Sequence, residues 1–552
     1  TYSFARMVYE EVYRQFCRLL GVPERTLEEY QPVFANMLGH VRGRVYYDLL
    51  NWYRTIALLP GYRLNREFME RMMGVREKLE NAPQPPASGN RLADWLRLAG
   101  SAFRILVEDV QLATTVPAFF RRVDRALASL EDQDLAAWSA EQAIAVYRRL
   151  ESELLRNWRT PIVNDFSAMI WFGVLCRLAE RWLPGLSASV VNDLLCGETG
   201  IRSTEPARRV MGLARRVRDD AGLSAIFAEA GDARRRWSQL EGDGAQARFL
   251  AEVRAYLREF GDRCIEELKL ETVPPRDDPA SFLDLVASYE RAGQFDGTTG
   301  REREKMVRAT AEREVLPRLP IARRLVFRTV LARARRRVRD RENLRFERTR
   351  VFGAVRRIFR RLGQVMAERG ALDGGRDVFY LTVSEVFDFF EGRLAADQAR
   401  SRARERRAQF EAFAREPAPP SRFASDDDTP PPALAAAVAA PAAGGDLKGI
   451  GCCPGVVRAP VRVVRDPANP GTLTDHILVA ERTDPGWTLL FPLAAGLLVE
   501  RGSLLSHSAI VAREIGLPCV VGIPDLLRTL RDGEEVEMNG ATGVVRRVSR
   551  PD

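Results

Sequence analysis

The sequence of 552 residues predicts a multidomain chain with a large all-α domain, a linker and a small C-terminal β/α domain. Apolar residues recur at every third or fourth position over residues 1–415, which is typical of helices that bury one face. The composition then changes to proline, alanine, aspartate and glycine over residues 416–447. Beyond them, residues 448–552 alternate valines with polar side chains between turn dipeptides, which indicates short strands.

The predicted helical domain, residues 1–415, begins with a regular amphipathic pattern. Val8, Val12, Phe16 and Leu19 recur at helical spacing. Glycine and proline residues interrupt this pattern along the domain, and they are expected to separate successive helices. No repeat of fixed period is visible in the sequence, so a solenoid is not expected.

The predicted linker, residues 416–447, has too few large apolar side chains to form a core. Its aspartates at 426–428 are followed by prolines at 430–432, and alanine and glycine follow. Such a composition is typical of a semi-flexible tether. We therefore expect this segment to let the following domain move.

His507 is the most informative residue of the predicted C-terminal domain, because the chain has only 3 histidines and this one follows a glycine-containing loop. Ser506 is a good N-cap, and Gly516 with Pro518 would end the helix that begins here. An imidazole at this position lies beside backbone N–H groups and the positive end of the helix dipole, which suits an anion attached to the ring. A neutral imidazole is also a competent nucleophile. The pattern by itself equally fits a capped helix with an incidental histidine.

Charge and composition exclude several classes of partner. The formal net charge is +9, but the basic residues are almost all arginines interleaved with glutamates, which is typical of solvated helix faces. No fingerprint of a nucleic-acid-binding module is visible, so no nucleic-acid partner is expected. No signal peptide or membrane span is predicted, and the apolar run at residues 489–498 is too short to cross a bilayer.

The cysteines indicate the compartment. The chain has 7 of them, an odd number, with Cys452 next to Cys453 but no Cys-x-x-Cys pair. This pattern favours reduced thiols in the cytoplasm over disulfides or zinc ligands, and no metal site is predicted. The chain begins at Thr1 rather than methionine, so we expect a fragment or a processed subunit.

Segments on both sides of His507 match one family pattern in order. They are residues 449–464, 477–480, 483–487, 502–518, 520–522, 532–533 and 539–545. They resemble the swivelling, or mobile, phosphohistidine domain of the dikinases, or PEP-utilising enzymes, a family that includes pyruvate phosphate dikinase, phosphoenolpyruvate synthase and rifampin phosphotransferase. The first segment looks like the opening β-hairpin of that domain. Ser503 departs from the pattern, because a second glycine is usual at its position.

The helical region is similar to the substrate domain of rifampin phosphotransferase, over residues 43–47, 158–166, 194–197, 260–263, 266–268 and 377–382. Within this region Arg341 and Arg345 are one helical turn apart, so their side chains share a face. Paired guanidinium groups bind a phosphoryl group well, and Glu342 beside them could act as a base on an acceptor hydroxyl. The spacing alone also fits a surface helix with salt bridges, whereas the resemblance implies an acceptor site.

A cluster of aromatic residues in the helical region has two interpretations. Tyr46, Tyr47, Trp52 and Tyr53 lie close together in the sequence. Core packing is the more common role of such a cluster. An apolar groove for a ring-bearing acceptor is the other possible role.

The resemblance implies a phosphotransferase in which His507 carries the β-phosphoryl group of ATP to a small, hydroxyl-bearing acceptor in the helical domain. Arg341, Glu342 and Arg345 would be catalytic with His507. The family loads its histidine from an ATP-grasp domain with magnesium. No glycine-rich nucleotide loop is visible here, so ATP and Mg²⁺ are expected on a partner subunit or a missing N-terminal region. No cofactor-binding residue is assigned in this chain.

Two alternatives stay open. The chain could be a phosphohistidine carrier or regulatory subunit without an acceptor of its own. It could instead be a component of the phosphoenolpyruvate synthase type that acts with a separate pyruvate-binding subunit. In each case we predict a cytoplasmic protein without a membrane partner.

Overall fold

The computed structural model describes residues 1–59, 62, 91–131, 133–186, 190–198, 200–229, 233–293, 298–416, 419, 423–424, 446–465, 470–504 and 506–548. Most of the predicted linker, residues 416–447, therefore lies outside the described residues. The chain divides into two compact units, one of residues 1–164, 268–271 and 350–439, the other of residues 165–267, 272–349 and 440–552. The boundaries at residues 415 and 448 stay predictions.

The first unit is mainly helical over its described residues. Its helices are α1 (Tyr2–Leu19), α2 (Glu24–Glu29), α3 (Gln31–Ala35), α4 (Leu49–Ala57), α5 (Arg91–Glu131), α6 (Ala140–Leu150), α16 (Val383–Phe390) and α17 (Ala396–Arg415). Shorter helical turns are Leu135–Ala137, Glu151–Leu155 and Gly375–Tyr380. Helices α7 (Arg159–Trp182) and α15 (Ile321–Glu368) contain residues of both units. The helical character predicted for the N-terminal region is confirmed.

One β-hairpin is an addition to the predicted all-α region. Strand β1 (Leu38–Val41) pairs antiparallel with β2 (Arg44–Tyr47). Arg42 and Gly43 form the turn with φ angles of 45° and 74°. Two consecutive positive φ angles are typical of the tight turn that matches the twist of a hairpin. The valine and tyrosine side chains of these segments favour strands over helices.

Two of the four clustered aromatic residues belong to the core of the first unit. Trp52 and Tyr53 are 3% and 0% exposed, so they serve packing. Tyr46 lies against Phe423, with 5.1 Å between the ring centroids. An acceptor groove at these residues stays a prediction.

The second unit combines helices with one large sheet. Its helices are α8 (Val190–Leu195), α9 (Glu205–Asp219), α10 (Ala221–Ala228), α11 (Ala233–Gly242), α12 (Ala247–Phe260), α13 (Pro279–Arg291), α14 (Thr298–Val315), α18 (His507–Ile515) and α19 (Leu526–Thr529). Shorter helical turns are Arg202–Thr204, Gly244–Gln246, Leu316–Arg318, Pro485–Leu489 and Phe491–Leu493. Apolar residues at helical spacing, such as Val210, Leu213 and Val217 of α9, are buried.

The sheet has eight strands in the order β3-β10-β9-β5-β6-β7-β8-β4. The strands are β3 (Leu447–Lys448), β4 (Ile450–Cys453), β5 (Val456–Val463), β6 (Ile477–Ala480), β7 (Gly496–Val499), β8 (Cys519–Val521), β9 (Glu535–Asn539) and β10 (Val544–Arg547). Strands β5 to β8 run parallel, and the other pairs are antiparallel. Leu478 and Ala480 pack with the helices, whereas Ile477 and Val479 belong to a second core on the opposite face. The predicted β-sheet domain at the C-terminus is confirmed.

The predicted opening β-hairpin is wrong. Strand β4 pairs with β8 and strand β5 pairs with β6 and β9, so consecutive strands are far apart in the sheet. Pro454 and Gly455 join them, and the pairing of β4 is irregular between Gly451 and Cys453. Pro454 has no backbone N–H to donate to a hairpin ladder. The carbonyl oxygen of Gly455 instead accepts a hydrogen bond from Gly540, which directs the chain toward β9.

One segment passes a length and composition test for a membrane span. Within the described residues, Ala140–Trp182 contains such an apolar window, and 39% of that window is buried. Core helices of proteins pass the same test, so this result weighs little. All of the cysteines are free thiols.

Candidate active site around His507

His507 is the first residue of helix α18, which ends at Ile515. The side chain of Ser506 accepts a hydrogen bond from the backbone N–H of Ala509, and Gly516 follows the helix with a φ of 73°. The predicted N-cap and helix end are therefore confirmed. His507 is only 6% exposed, so other parts of the second unit enclose its ring.

One ring nitrogen of His507 contacts a glutamate on helix α15. The Nδ1 atom lies 2.7 Å from Oε2 of Glu342, which is fully buried. Burial alone would raise the pKa of Glu342, but the charge and hydrogen bond of His507 and the charges of Arg345 and Arg341 lower it to about 2. Glu342 is therefore a carboxylate at neutral pH and can only accept, so Nδ1 carries the proton in this contact.

The other ring nitrogen of His507 contacts Thr488. Nε2 lies 3.1 Å from Oγ1 of Thr488. Thr488 belongs to the 3-10 turn Pro485–Leu489, and its hydroxyl donates a hydrogen bond of 2.6 Å to the carbonyl oxygen of Pro485. Sequence reasoning missed this residue, although it directly follows the matching segment at residues 483–487.

The two predicted arginines flank Glu342 on helix α15. Nε of Arg341 lies 3.3 Å from Oδ1 of Asp165, and Nη1 of Arg345 lies 3.5 Å from Oε1 of Glu342. Burial, and after it the positive charge of Arg345, lower the pKa of Arg341 to about 10. Arg341 is still a cation at neutral pH, and the charges of the two guanidinium groups interact.

Asp484 anchors the turn that carries Thr488. Its carboxylate accepts hydrogen bonds of 2.8 Å from the backbone N–H groups of Gly486 and Glu266. Burial, reinforced by the charge of Glu267, raises the pKa of Asp484 to about 6. A Cβ atom on Gly486 would lie 2.0 Å from the carbonyl oxygen of Cys264, so no larger residue fits there without a shift. The turn is therefore held closely against residues 264–266.

Two ion pairs that involve buried glutamates support helix α15 near the site, and in the second pair the arginine is buried as well. Nη1 of Arg202 lies 2.5 Å from Oε1 of Glu347, and Nη1 of Arg263 lies 2.7 Å from Oε1 of Glu267. Thr349 of α15 donates a further hydrogen bond of 2.5 Å to Glu267. Removing one partner of a buried pair leaves a charge without compensation, which is strongly destabilising. These contacts therefore hold α15 in register with the segments around it.

All four predicted site residues lie in the second unit. His507 and Glu342 are in direct contact, Arg345 contacts Glu342, and Arg341 interacts with the charge of Glu342. Thr488 and Asp165 complete the group, and sequence reasoning assigned neither of them a role. The arrangement presents a buried imidazole whose Nδ1 is paired with a carboxylate and whose Nε2 faces a hydroxyl. It can support nucleophilic attack by Nε2 on an electrophile such as a phosphoryl group.

Family comparisons cover the two elements that meet at this site. Residues 473–543 match the family described as PEP-utilising enzyme, mobile domain, and residues 158–342 match the rifampicin phosphotransferase fourth domain. The chain therefore contains a PEP-utilising mobile domain and a region similar to the rifampicin phosphotransferase fourth domain. The mobile-domain match includes His507 and Thr488, and the fourth-domain match ends with Arg341 and Glu342.

Curated relatives match most of the chain. An uncharacterized protein of Mycobacterium tuberculosis is 30% identical over 474 residues, which are 84% of this chain and 49% of that protein. The rifampicin phosphotransferase of Streptomyces sviceus is 27% identical and matches 89% of this chain and 55% of its own length. The prodigiosin synthesizing transferase PigC of Serratia marcescens is 25% identical, and the match covers 92% of this chain and 57% of PigC. The chain thus spans about half the length of these relatives, and those named for an activity are transferases.

Proposed function

We propose that this chain is the carrier and acceptor part of a phosphotransferase. His507 receives the β-phosphoryl group of ATP from an ATP-grasp partner and transfers it to a small acceptor that bears a hydroxyl group. The observation that carries this proposal is the buried contact of 2.7 Å between His507 and Glu342, next to Arg341 and Arg345. ATP and Mg²⁺ are assigned to the partner, and the residues of this chain handle the phosphoryl group.

The contact with Glu342 selects the nitrogen that reacts. Because the carboxylate accepts the Nδ1 proton, the lone pair available for attack is on Nε2. Attack by Nε2 on the phosphorus forms an N–P bond and breaks the P–O bond to the leaving group, which keeps the electron pair. In the second half-reaction the acceptor oxygen attacks the phosphorus, the N–P bond breaks, and its electrons return to Nε2.

The paired arginines favour an anion at this position. Arg341 is 9% exposed, and its burial, followed by the positive charge of Arg345, lowers its pKa. A phosphoryl group between them would relieve this repulsion and accept charge-assisted hydrogen bonds from both. We therefore assign Arg341 and Arg345 to stabilisation of the charge that moves during transfer to the acceptor.

Glu342 fits an orienting role better than the role of a base. A carboxylate whose pKa is about 2 takes up a proton weakly at neutral pH. It holds Nδ1–H and stabilises positive charge on the ring instead. The removal of the acceptor proton is then left to the acceptor environment or to solvent.

A labelling experiment tests the proposal. The chain is mixed with an ATP-grasp partner and ATP labelled at the β-phosphate, and we expect an acid-labile, base-stable label on the wild type but none on His507→Ala. The matched control is His476→Ala, whose ring contacts the carbonyl oxygen of Thr474 instead, and it should label normally. Full labelling of His507→Ala would overturn the proposal. Without the partner, calorimetry should detect no tight binding of Mg-ATP to this chain.

The acceptor is identified by discharge of the labelled protein. Rifampicin is the first compound to test, because three of the matched relatives are named for phosphotransfer to it. Discharge to pyruvate with an added barrel subunit would favour a component of the phosphoenolpyruvate synthase type. A stable label that no hydroxylated compound discharges would favour a carrier subunit.

A further inference from the structure

Three cysteines lie together in the core of the second unit, next to the helix that begins at His507. Cys452 and Cys453 are at the end of strand β4, and Cys519 begins strand β8, which pairs with it. All three are at most 1% exposed and pack in the same core as Ala512 of α18. The proposed phosphotransfer uses none of them.

Irregular strand pairing directs the side chain of Cys452 toward β8. The Cα partner of Cys519 is Cys453. The register shifts between Gly451 and Cys453, so Cys452 is the extra residue of a bulge. Its sulfur accepts hydrogen bonds from the thiol of Cys519 and from the backbone N–H of Val521. The sulfur atoms of Cys452 and Cys519 are therefore in contact across the two strands.

The two thiols in contact differ in acidity. The hydrogen bond from Cys519 lowers the pKa of Cys452, burial opposes this effect, and the positive charge of Arg513 adds to it. Burial raises the pKa of Cys519. Arg513 is itself only 3% exposed, so its charge acts on the sulfur at short range without much screening by water. Because the thiolate is the nucleophile, Cys452 is the member of the pair that reacts first with an electrophile.

The position of β4 in the sheet gives a small reagent access to the pair. In the described part of the chain β4 is the last strand at one edge, and Ile450 at its start is 42% exposed. A short edge strand with an irregular ladder opens locally at a lower cost than a central strand. Opening exposes the sulfur of Cys452, and reclosing returns it to Cys519.

We propose that Cys452 and Cys519 form an oxidant-sensitive pair, which hydrogen peroxide converts to a disulfide. The thiolate sulfur of Cys452 attacks one peroxide oxygen and the O–O bond breaks. The product is a sulfenic acid, and the hydroxide that leaves takes up the former thiol proton as water. The sulfur of Cys519 then attacks the sulfur of Cys452, the S–S bond forms, and the S–O bond breaks with release of a second water.

The balance of this reaction is two thiols oxidised by one peroxide. The thiols lose two electrons and two protons, and the peroxide is reduced to two waters. The disulfide ties the edge strand β4 to β8 and opposes its opening. The inference goes beyond the proposed function, and no step of it requires phosphotransfer.

Peptide mapping of the whole chain tests the proposal. The folded protein is treated with hydrogen peroxide, unfolded in the presence of a thiol-blocking reagent, and digested with trypsin without reduction. We expect a cross-link between the peptides of residues 449–458 and 514–528, which reduction abolishes. The same treatment of the chain unfolded in urea confirms that the peroxide is active.

Single substitutions identify the members of the pair. Cys452→Ser and Cys519→Ser should each lose the cross-link, whereas Cys453→Ser should keep it. Cys17→Ser is the control for a buried thiol of the first unit, and it should cross-link as the wild type does. Thermal unfolding before treatment identifies any variant that fails to fold.

Hydrogen exchange provides a second measurement, which does not depend on the cysteine variants. In the oxidised wild type we expect the backbone amides of β4 to exchange about tenfold more slowly or less, because the cross-link opposes local opening. Reduction should restore the original exchange rate. Unchanged exchange in a fully cross-linked protein would contradict the assigned position of the disulfide.

Three results would overturn the proposal. The first is a cross-link that persists in Cys452→Ser, since Cys453 would then be the partner of Cys519. The second is a disulfide between Cys452 and Cys453, found within the single peptide 449–458 and persisting in Cys519→Ser. The third is a folded chain whose thiols stay reduced under peroxide that oxidises the unfolded chain. His507→Ala should form the cross-link normally, so failure of the proposed function leaves this test unaffected.

Discussion

Glu342 differs from the other acidic residues of its helix in its partner. It is fully buried and lies 2.7 Å from a ring nitrogen of His507, whereas the equally buried Glu347 pairs with Arg202. An ion pair with arginine is a structural contact. A carboxylate paired with the proposed nucleophile determines which ring nitrogen holds the proton.

This difference leads to a prediction at the residue scale. Glu342→Gln keeps the size of the side chain and its acceptor oxygen, but it removes the negative charge beside the ring. We expect phosphorylation of His507 to slow by about 100-fold, which is at the low end of the contribution of a preorganised electrostatic contact. Rapid-quench labelling with the ATP-grasp partner measures this rate.

Glu347→Gln is the matched control for the charge. It removes a buried glutamate of the same helix that does not contact His507. We expect it to lower the free energy of unfolding and to leave the labelling rate of the folded fraction unchanged. Equal rates for both variants would assign Glu342 a purely structural role.

At the scale of elements, helix α15 presents Arg341, Glu342 and Arg345 from one turn. Helical spacing places the two guanidinium groups together, and the lowered pKa of Arg341 results from burial and from the charge of Arg345. A helix face with this repulsion is better suited to a bound anion than to solvent. This is the reason for which we propose that the face acts in the acceptor half-reaction.

The double substitution Arg341→Ala and Arg345→Ala should spare labelling of His507 but slow its discharge to the acceptor. Loss of a charge-assisted contact made mainly in the transition state costs about 3 kcal/mol, or roughly a hundredfold in rate. Single-turnover discharge of the labelled protein measures the effect. Arg336→Ala, an exposed arginine of the same helix, is the control and should discharge normally. Unaltered discharge in the double variant would show that these arginines form only structural salt bridges.

The 3-10 turn Pro485–Leu489 is the second element that positions the site. Gly486→Ala would place a Cβ atom 2.0 Å from the carbonyl oxygen of Cys264, so the turn has to shift. We expect a loss of stability of about 1–3 kcal/mol, as for overpacked sites, together with a changed nitrogen-15 spectrum of the His507 ring. Urea unfolding and the ring spectra measure the two effects. A variant with wild-type stability and spectra would show that the turn is not held as described.

At the scale of the whole molecule, two carboxyl groups with shifted pKa values make the stability depend on pH in two ranges. Burial, reinforced by Glu304 and opposed by Arg513, raises the pKa of Glu514 to about 8. The folded protein then holds a proton that the unfolded chain releases near pH 4.5, so this contribution to stability is present below pH 4.5 and is lost as the pH rises toward 8. Glu342 has the opposite sign, because its pKa is lowered to about 2. Its contribution is present above pH 4.5 and is lost as the pH falls toward 2.

We therefore expect Glu514→Gln to reduce the difference in unfolding free energy between pH 5 and pH 8. These two pH values are chosen to span the range in which the contribution of Glu514 to stability is lost. The glutamine amide does not titrate in this range, so the loss of stability at the higher pH disappears. In the wild type this loss amounts to about 1.4 kcal/mol for each unit by which the pKa is shifted. Urea unfolding at the two pH values provides the measurement. Glu28→Gln, an exposed glutamate, should keep the wild-type difference. An undiminished difference in Glu514→Gln would show that another group titrates in this window.

Local sequence determined the elements that carry the site. Ser506 and Gly516 specify where helix α18 begins and ends, because capping depends on residues within one turn. The helical period placed Arg341 and Arg345 on one face, and alternating valines indicated strands in the last part of the chain. The family pattern around His507 identified the mobile domain, which the family comparison confirms.

Only the tertiary structure decided which of these elements meet. Glu342 lies 165 residues from His507 in the sequence, and Thr488 lies 19 residues from it. No local sequence pattern therefore predicts either contact. Strands β4 and β5 are consecutive in the chain but are not neighbours in the sheet. The strand order likewise depends on pairing between segments that are distant in the sequence. Short-range periodicity reflects the geometry of one helix or strand, whereas these contacts arise from packing the helices of the second unit against its sheet. The sequence alone therefore predicted the helix that begins at His507, the proposed nucleophile, and the folded chain determined the two partners of its ring.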